Sequence, residues 1–290
     1  MLAITPTLQQ TPQRIISLVP SLTEVLFAFG LGPRIVGITD YCTAPQPEVR
    51  SKPTIGGTKN PNVQAILRLT PDFVVANVEE NRRQHIEYLQ AHGISVFVCF
   101  PHTVAEALTT LRTLARASDV EARAMPVLEK IEAAYEETKM FTAARRKVRV
   151  FCPIWKDPWM TINRETFMHD MIETCGGTNI FADRERRFPL AADLGERPER
   201  DATQLEGRDR RYPRVTLEEM AGLLPEVILL PDEPYRFTAA DRADFVGWVR
   251  VPAVRDKRIL LIDGKTVSWY WSRLDESLRS LRALLLPASA

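Results

Sequence analysis

Residues able to recognise a ligand gather just after short apolar runs. Pro20 and Ser21 follow the run Arg14 to Leu18, and Asp40, Tyr41 and Cys42 follow Ile35 to Thr39. Gly56-Gly57-Thr58-Lys59-Asn60 forms a loop; Glu79, Glu80 and Asn81 follow Val74 to Asn77, and Pro101 and His102 follow Ile94 to Phe100. The second half adds Trp155, Asp157 and Trp159, then Tyr235 and Arg236, and Ser268-Trp269-Tyr270-Trp271-Ser272-Arg273 after the last apolar run. Aromatic rings, one thiol and a few charges suit a large flat or hydrophobic ligand with polar anchors. A sugar or amino-acid site would need fewer aromatics. Neither GxGxxG after a strand, nor a P-loop lysine, nor GxSxG, nor HExxH is present. No catalytic residue and no required cofactor are therefore assigned, and the reading is a binding protein rather than an enzyme.

Each of these residues has a structural alternative. Trp269 to Trp271 could equally cap the core at the start of the last helix, and Trp155 and Trp159 could equally staple a hairpin around a proline. Gly56-Gly57 would serve a turn that needs positive φ. Cys42 lies in a Pro-rich loop and is the thiol placed to meet a ligand; thiolate is a soft-metal ligand. His102 is the second metal candidate. Cys99 and Cys152, inside apolar runs, read as core, as does His169 on its helix. His85 and His92 read as solvated, and Glu79-Glu80 with Arg82-Arg83 as a cleft rim or a capped helix start.

These positions need strands and helices to hold them. Short β-branched runs (Arg14 to Leu18, IVGIT, Val74 to Asn77, ISVFVCF) alternate with amphipathic helical stretches, which implies βαβ units and parallel sheets. Asp119 to Arg146 reads as one long helix, with apolar residues at Val127, Leu128, Ile131, Ala134 and Tyr135. The alternation then restarts with KVRVFCPI, PWMTI, a helix ended by Gly176-Gly177, EVILLP, a helical DRADFVGWV, RILLIDG and a closing helix. Ala182 to Arg214, dense in charges of mixed sign, reads as a flexible or surface insertion. Val63 to Val75 and Leu217 to Leu229 align without gaps, pairing Pro71 with Pro225 and Asp72 with Glu226. The expected fold is α/β: two Rossmann-like lobes with parallel sheets joined by one long α-helix, with the ligand in a cleft between the lobes at the carboxyl ends of the strands. The lobes are placed at 1–118 and 148–290, the helix at 119–147 and the charged insertion at about 183–213.

Composition bounds the partners. At 290 residues, 45% hydrophobic and 26% charged, the chain is an ordinary globular sequence with length for two lobes. Its net charge of +1 provides no overall field for nucleic acid or an anionic membrane. No run reaches the length of a membrane span. Four scattered cysteines fit a reducing compartment. Pro6, Pro12 and a first basic residue at Arg14 do not read as a secretory leader, so the expectation is cytoplasmic, or periplasmic if the N-terminus has been trimmed.

The segments RIISLVPSLTEVLFAFGLGPRIVGITDYC, IGGTKNPNVQAILRLTPDFVVAN and ETCGGTNIFAD together resemble the helical-backbone metal-receptor superfamily, the class III periplasmic-binding-protein fold, from Arg14 to about Leu286. The branch they resemble most is the cobalamin-binding proteins of bacterial ABC importers, relatives of the ferric-siderophore and haem receptors. The resemblance implies a corrinoid or iron chelate as ligand. Pro20, Tyr41 and the loop around Thr58 would line the first wall, and Trp269 to Arg273 the second. Ser21, Cys42, Lys59, Glu80, Trp155, Trp159 and Tyr270 complete the expected ligand-binding set. It also implies docking to an ABC permease through one glutamate per lobe. Glu218 matches in the second lobe; the first-lobe match is Gln64, which carries no charge.

Two other readings stand beside this one. A cytosolic enzyme or chaperone would handle such a ligand through Cys42, His102 or Asp157. A protein-interaction module would use the charged insertion, with 191–211 as its core.

Overall fold

A computed structural model describes residues 10–287. The leader reading of residues 1–9 lies outside the described residues. The chain divides into two compact units, each built on a four-stranded parallel sheet. One unit runs through Ala133 and also takes in Tyr270–Leu274; the other holds Ala134–Trp269 and the chain from Asp275 onward. No helix among the described residues is long and apolar enough to cross a membrane.

In unit 1, β1 (Ile15–Ser17), α1 (Pro20–Ala28), β2 (Ile35–Ile38), α2 (Val63–Arg68), β3 (Phe73–Asn77), α3 (Arg83–Ala91), β4 (Ser95–Cys99) and α4 (Val104–Ala117) alternate as expected. The sheet order is β2-β1-β3-β4. Strands covered on both faces read as continuous apolar runs, and every residue of β1 and β3 is buried. Helix α5 (Glu121–Thr142) runs through Pro126. The proline removes one backbone hydrogen bond, while Ala124, Leu128, Ile131 and Ala134 on one face are buried. The division between the units falls inside this helix.

Unit 2 continues with β5 (Val148–Phe151), a hairpin of β6 (Pro153–Trp155) and β7 (Met160–Thr161), α6 (Phe167–Thr174), β8 (Gly177–Asn179), α7 (Leu217–Gly222), β9 (Val227–Pro231), α8 (Pro252–Arg255), β10 (Ile259–Ile262), α9 (Lys265–Ser268) and α10 (Leu274–Leu285). Its main sheet runs β10-β9-β5-β8. DRADFVGWV, expected as an α-helix, is a 3₁₀ segment over Ala239–Phe245. Asp241 there caps Thr238 and also takes the Lys156 ammonium, at 2.9 Å, which pins a short turn.

The internal repeat has a mechanical meaning. Asn62 caps α2 and Thr216 caps α7, each through a side-chain oxygen. Thr70 (φ 44°) and Leu224 (φ 50°) then make the same left-handed bend. Asp72 accepts the backbone N–H of Gln13 and Arg14 at the start of β1, and Glu226 accepts that of Arg149 in β5. Arg14 and Arg149 return the contact, donating to the carbonyls of Leu69 and Leu224. Each acid thus locks a strand end to the helix that precedes the neighbouring strand.

Arg146 holds Glu226 in a bidentate pair, at 3.0 and 2.7 Å, and with the Arg149 N–H lowers its pKa to about 2 against the burial that opposes it. A carboxylate depressed in the folded state stabilises above its unfolded value and loses that contribution as pH falls through the folded one. Glu226→Gln is therefore expected to cost about 1–3 kcal/mol at pH 7, discounted because Arg146 is largely in solvent. The cost should shrink between about pH 4.5 and pH 2. Urea melts of both proteins across that range check it, and a pH-independent difference would refute it.

The charged stretch, expected as a flexible or surface insertion, is knit from within. Asp193, 3% exposed, accepts the N–H groups of Arg187 and Arg214, and its carbonyl accepts from Arg184. The guanidiniums of Arg186 and Arg208 lie 5.4 and 4.9 Å from the Phe188 ring. Charges of both signs at close spacing satisfy one another locally, so the segment needs little apolar core.

Candidate functional site

In each unit the loops after the strands carry the polar and aromatic residues, as the sheet direction requires. In unit 1, Pro20 opens α1 half-buried, with Ser21 buried behind it. Tyr41 is 63% exposed and its ring lies against Gly57, where an added Cβ would sit 3.3 Å from Cε2. Thr58 is buried and Lys59 is exposed, its ammonium donating to the Glu79 carbonyl. Glu80 is half-buried, with its N–H on Asn77 Oδ1. Val78 between them is 48% exposed.

The two metal-ligand candidates stand apart, and one of them is buried. Cys42, expected to meet the ligand, is buried, with Sγ 3.0 Å from the Thr23 hydroxyl and 3.2 Å from that of Thr39. Burial pushes its thiol up, so it stays protonated near neutral pH. A short loop that turns back under its own strand hides a thiol that sequence places in the open. His102 packs its ring edge-on against Phe100, and its backbone N–H donates to the Glu106 carboxylate. Cys42 follows β2 and His102 follows β4, the two edges of the sheet, about 14 Å apart at the usual strand spacing. Among the described residues no group of three or more His, Cys, Asp or Glu side chains could hold a metal ion.

The segment from Tyr270 to Arg273 belongs to unit 1 and is largely committed to it. Tyr270 is 7% exposed, and its hydroxyl oxygen accepts from Asn77 Nδ2. Arg273 makes a bidentate pair with Glu24, at 2.7 and 3.0 Å. Trp271 is 2% exposed. Of the expected wall from Trp269 to Arg273, only Trp269 lies in unit 2.

In unit 2 three aromatics that are not fully buried, Trp155, Tyr235 and Trp269, follow adjacent strands. Trp155 after β5 is 44% exposed and meets Tyr235 edge-to-face at 5.6 Å. Trp159 instead turns inward, stacked on Phe237 at 5.8 Å and against Phe245. Trp269 after β10 is half-buried, with the Lys265 ammonium 4.8 Å from its ring centre. Burial raises the Glu233 pKa, and Lys265 opposes the rise. An added Cβ on Gly264 would stand 2.8 Å from the Glu233 backbone, so glycine there lets the β9 and β10 ends close up. Glu233, Lys265 and Asn77 escaped the sequence reading; the repeated strand-end position was the only available signal.

The docking candidates keep their symmetry-related places. Gln64 on α2 is exposed and donates to the Tyr88 hydroxyl at 3.2 Å. Glu218, in the first turn of α7, is exposed beside a cavity of about 310 Å³ lined by Trp159, Leu217 and Trp248. A larger groove of about 980 Å³ follows the β8 edge past Arg149, His169 and Arg184 and includes none of the expected ligand residues.

Similarity to known proteins agrees with this architecture. The chain is 31% identical over 176 residues to the vitamin B12-binding protein of Salmonella typhimurium, covering 61% of this chain and 65% of that protein. In fold it is similar to the periplasmic vitamin B12-binding protein of Vibrio cholerae, with a TM-score of 0.75 at 20% identity over 94% of this chain and 96% of that one. It is similar also to a periplasmic haem-binding protein from Roseiflexus, with a TM-score of 0.72 at 20% identity over 94% and 97%. At such identities the structural likeness concerns the fold alone. The periplasmic binding protein family matches residues 15–266, and the chain belongs to that family.

Proposed function

We propose that this chain binds a corrinoid or another metal chelate, such as haem or a ferric siderophore, as the solute receptor of an ABC-type importer or as a cytosolic descendant of one. The observation that carries the reading is the strand-end aromatic set of unit 2, with Trp155 exposed and Tyr235 and Trp269 half-buried. Trp155, Tyr235 and Trp269 follow neighbouring strands, with Lys265 and Glu233 as polar anchors. Aromatic rings held on fixed strand ends offer apolar area at small ordering cost. In unit 1, Tyr41 and Val78 supply further exposed apolar surface. The similarity to vitamin B12-binding proteins supports the ligand class. The metal belongs to the ligand, and the protein needs no resident cofactor. Glu218 offers the charge for a permease contact, and Gln64 offers an amide. Cell fractionation decides between the periplasmic and cytoplasmic forms of the proposal.

The test is a titration with hydroxocobalamin, cyanocobalamin, haem and a ferric siderophore, read by tryptophan fluorescence and visible absorbance. Saturable binding of one of them is expected, weakened about tenfold or more by Trp155→Ala or Trp269→Ala, roughly 1–2 kcal/mol each. Saturation by none of the four, or affinity unchanged in both variants, overturns the proposal.

A further inference from the structure

The turn that follows β3 is held by a residue almost two hundred positions away. Asn77, 1% exposed, accepts the N–H of Glu79 at 2.7 Å and of Glu80 at 3.3 Å on Oδ1. Its own N–H goes to Asn81 Oδ1 at 2.9 Å. Asn81 then donates to the carbonyls of Leu18 and Thr58, at 3.1 and 3.0 Å. One pair of asparagines therefore joins the strand-end loops of β1, the Thr58 loop and the turn carrying Val78. Two backbone donors on Oδ1 fix which way the Asn77 amide faces, so its Nδ2 must donate on the other side. There it meets the Tyr270 hydroxyl, with the Cys99 sulfur as a weaker neighbour at 3.7 Å.

We infer that Tyr270 is a positioning residue for the turn at 77–81, and that it couples this turn to whatever seats on Trp269. The peptide bond between Trp269 and Tyr270 is where the chain passes from unit 2 to unit 1. Trp269 is half-buried in the strand-end aromatic set of unit 2, and Tyr270 fixes the amide that sets the turn. A solute that moves or stiffens Trp269 acts one peptide bond from the residue whose hydroxyl holds Asn77 at the other unit's turn. A buried amide deprived of its acceptor reorients or takes in water, and the two backbone bonds on its other edge loosen with it. The coupling half of the inference rests on the solute-binding reading; the positioning half does not.

Hydrogen exchange on the full chain tests both halves. Tyr270→Phe removes only the hydroxyl and leaves the buried ring. Without ligand, the variant is expected to exchange the amides of Glu79, Glu80 and Asn81 about tenfold faster than the parent, with the rest of unit 1 unchanged. Tyr88→Phe, on an exposed phenol, serves as the control and should leave these amides alone. A change below twofold at 79–81, or an equal acceleration throughout unit 1, overturns the positioning role. In the second arm, cyanocobalamin is the probe. It should slow exchange at 79–81 in the parent and fail to do so in Tyr270→Phe while still quenching tryptophan fluorescence. Slowing of the same size in both proteins overturns the coupling. If cyanocobalamin does not bind, the proposed ligand class and the coupling built on it fall together, and the first arm still decides the positioning role.

Discussion

Replacing Arg273 by Ala is expected to destabilise unit 1 by about 3 kcal/mol, and replacing Glu24 by Ala by only about 1 kcal/mol. The two side chains form one bidentate pair but stand in different surroundings. The Glu24 side chain is 9% exposed, whereas that of Arg273 is 46% exposed. Taking away Arg273 leaves a carboxylate with little access to water and no counter-charge, the costly case for a buried ion. Taking away Glu24 leaves a guanidinium that can already reach solvent. The double variant should resemble the Glu24 variant more than the sum of the two, because the stranded carboxylate has gone. Denaturant melts of the three variants check this. A larger loss for Glu24→Ala than for Arg273→Ala would refute the account.

Native thiol chemistry should be nearly silent. Burial raises the pKa of Cys99, Cys152 and Cys175 to about 12, and that of Cys42 in the same direction. The reactive species is the thiolate. At pH 8 a thiol with a pKa of 12 is ionised about one part in 10⁴, against about one in ten at its ordinary value. Ellman's reagent should therefore titrate less than one of the four cysteines in the native protein over minutes, and all four in guanidinium chloride. Cys42, at 9% exposure, should be the first to yield. Rapid native labelling of two or more would contradict the buried placement. The same chemistry removes the argument that free cysteines mark a reducing compartment, since buried thiols persist unoxidised in either.

The fold was legible because its signals are local. Short β-branched runs, helix caps at Asn62 and Thr216 and the repeated Pro-acid turn all act within a few residues, and the paired left-handed bends at Thr70 and Leu224 confirm the repeat. The candidate site was legible only in outline. Sequence placed Trp155, Tyr41 and Trp269 after strands, where they stand. It could not show that Tyr270 and Arg273 spend their polar groups on Asn77 and Glu24, because those partners lie 193 and 249 positions away. For the same reason Trp155 and Trp159, alike in type and flanking one proline, part company: one faces solvent and the other joins the Phe237–Phe245 cluster. The side of a four-residue turn on which a ring falls depends on packing, not on spacing. The ties within the charged insertion were illegible for another reason: composition signals poor core formation, and the contacts that knit it converge on one buried aspartate, Asp193.

The placement of Tyr270–Leu274 within unit 1 also bears on how the protein is made. Translation delivers the first 133 residues long before this segment exists. Until it arrives, the space later filled by Trp271 and Leu274 stays open, and Glu24 lacks its guanidinium. The earlier-synthesised unit is thus completed only after most of the other has been made, and the two cannot mature as independent domains in order of synthesis. Nascent chains arrested before Tyr270 should present unit 1 in a protease-sensitive, chaperone-binding form, which extension past Leu274 converts to the resistant one.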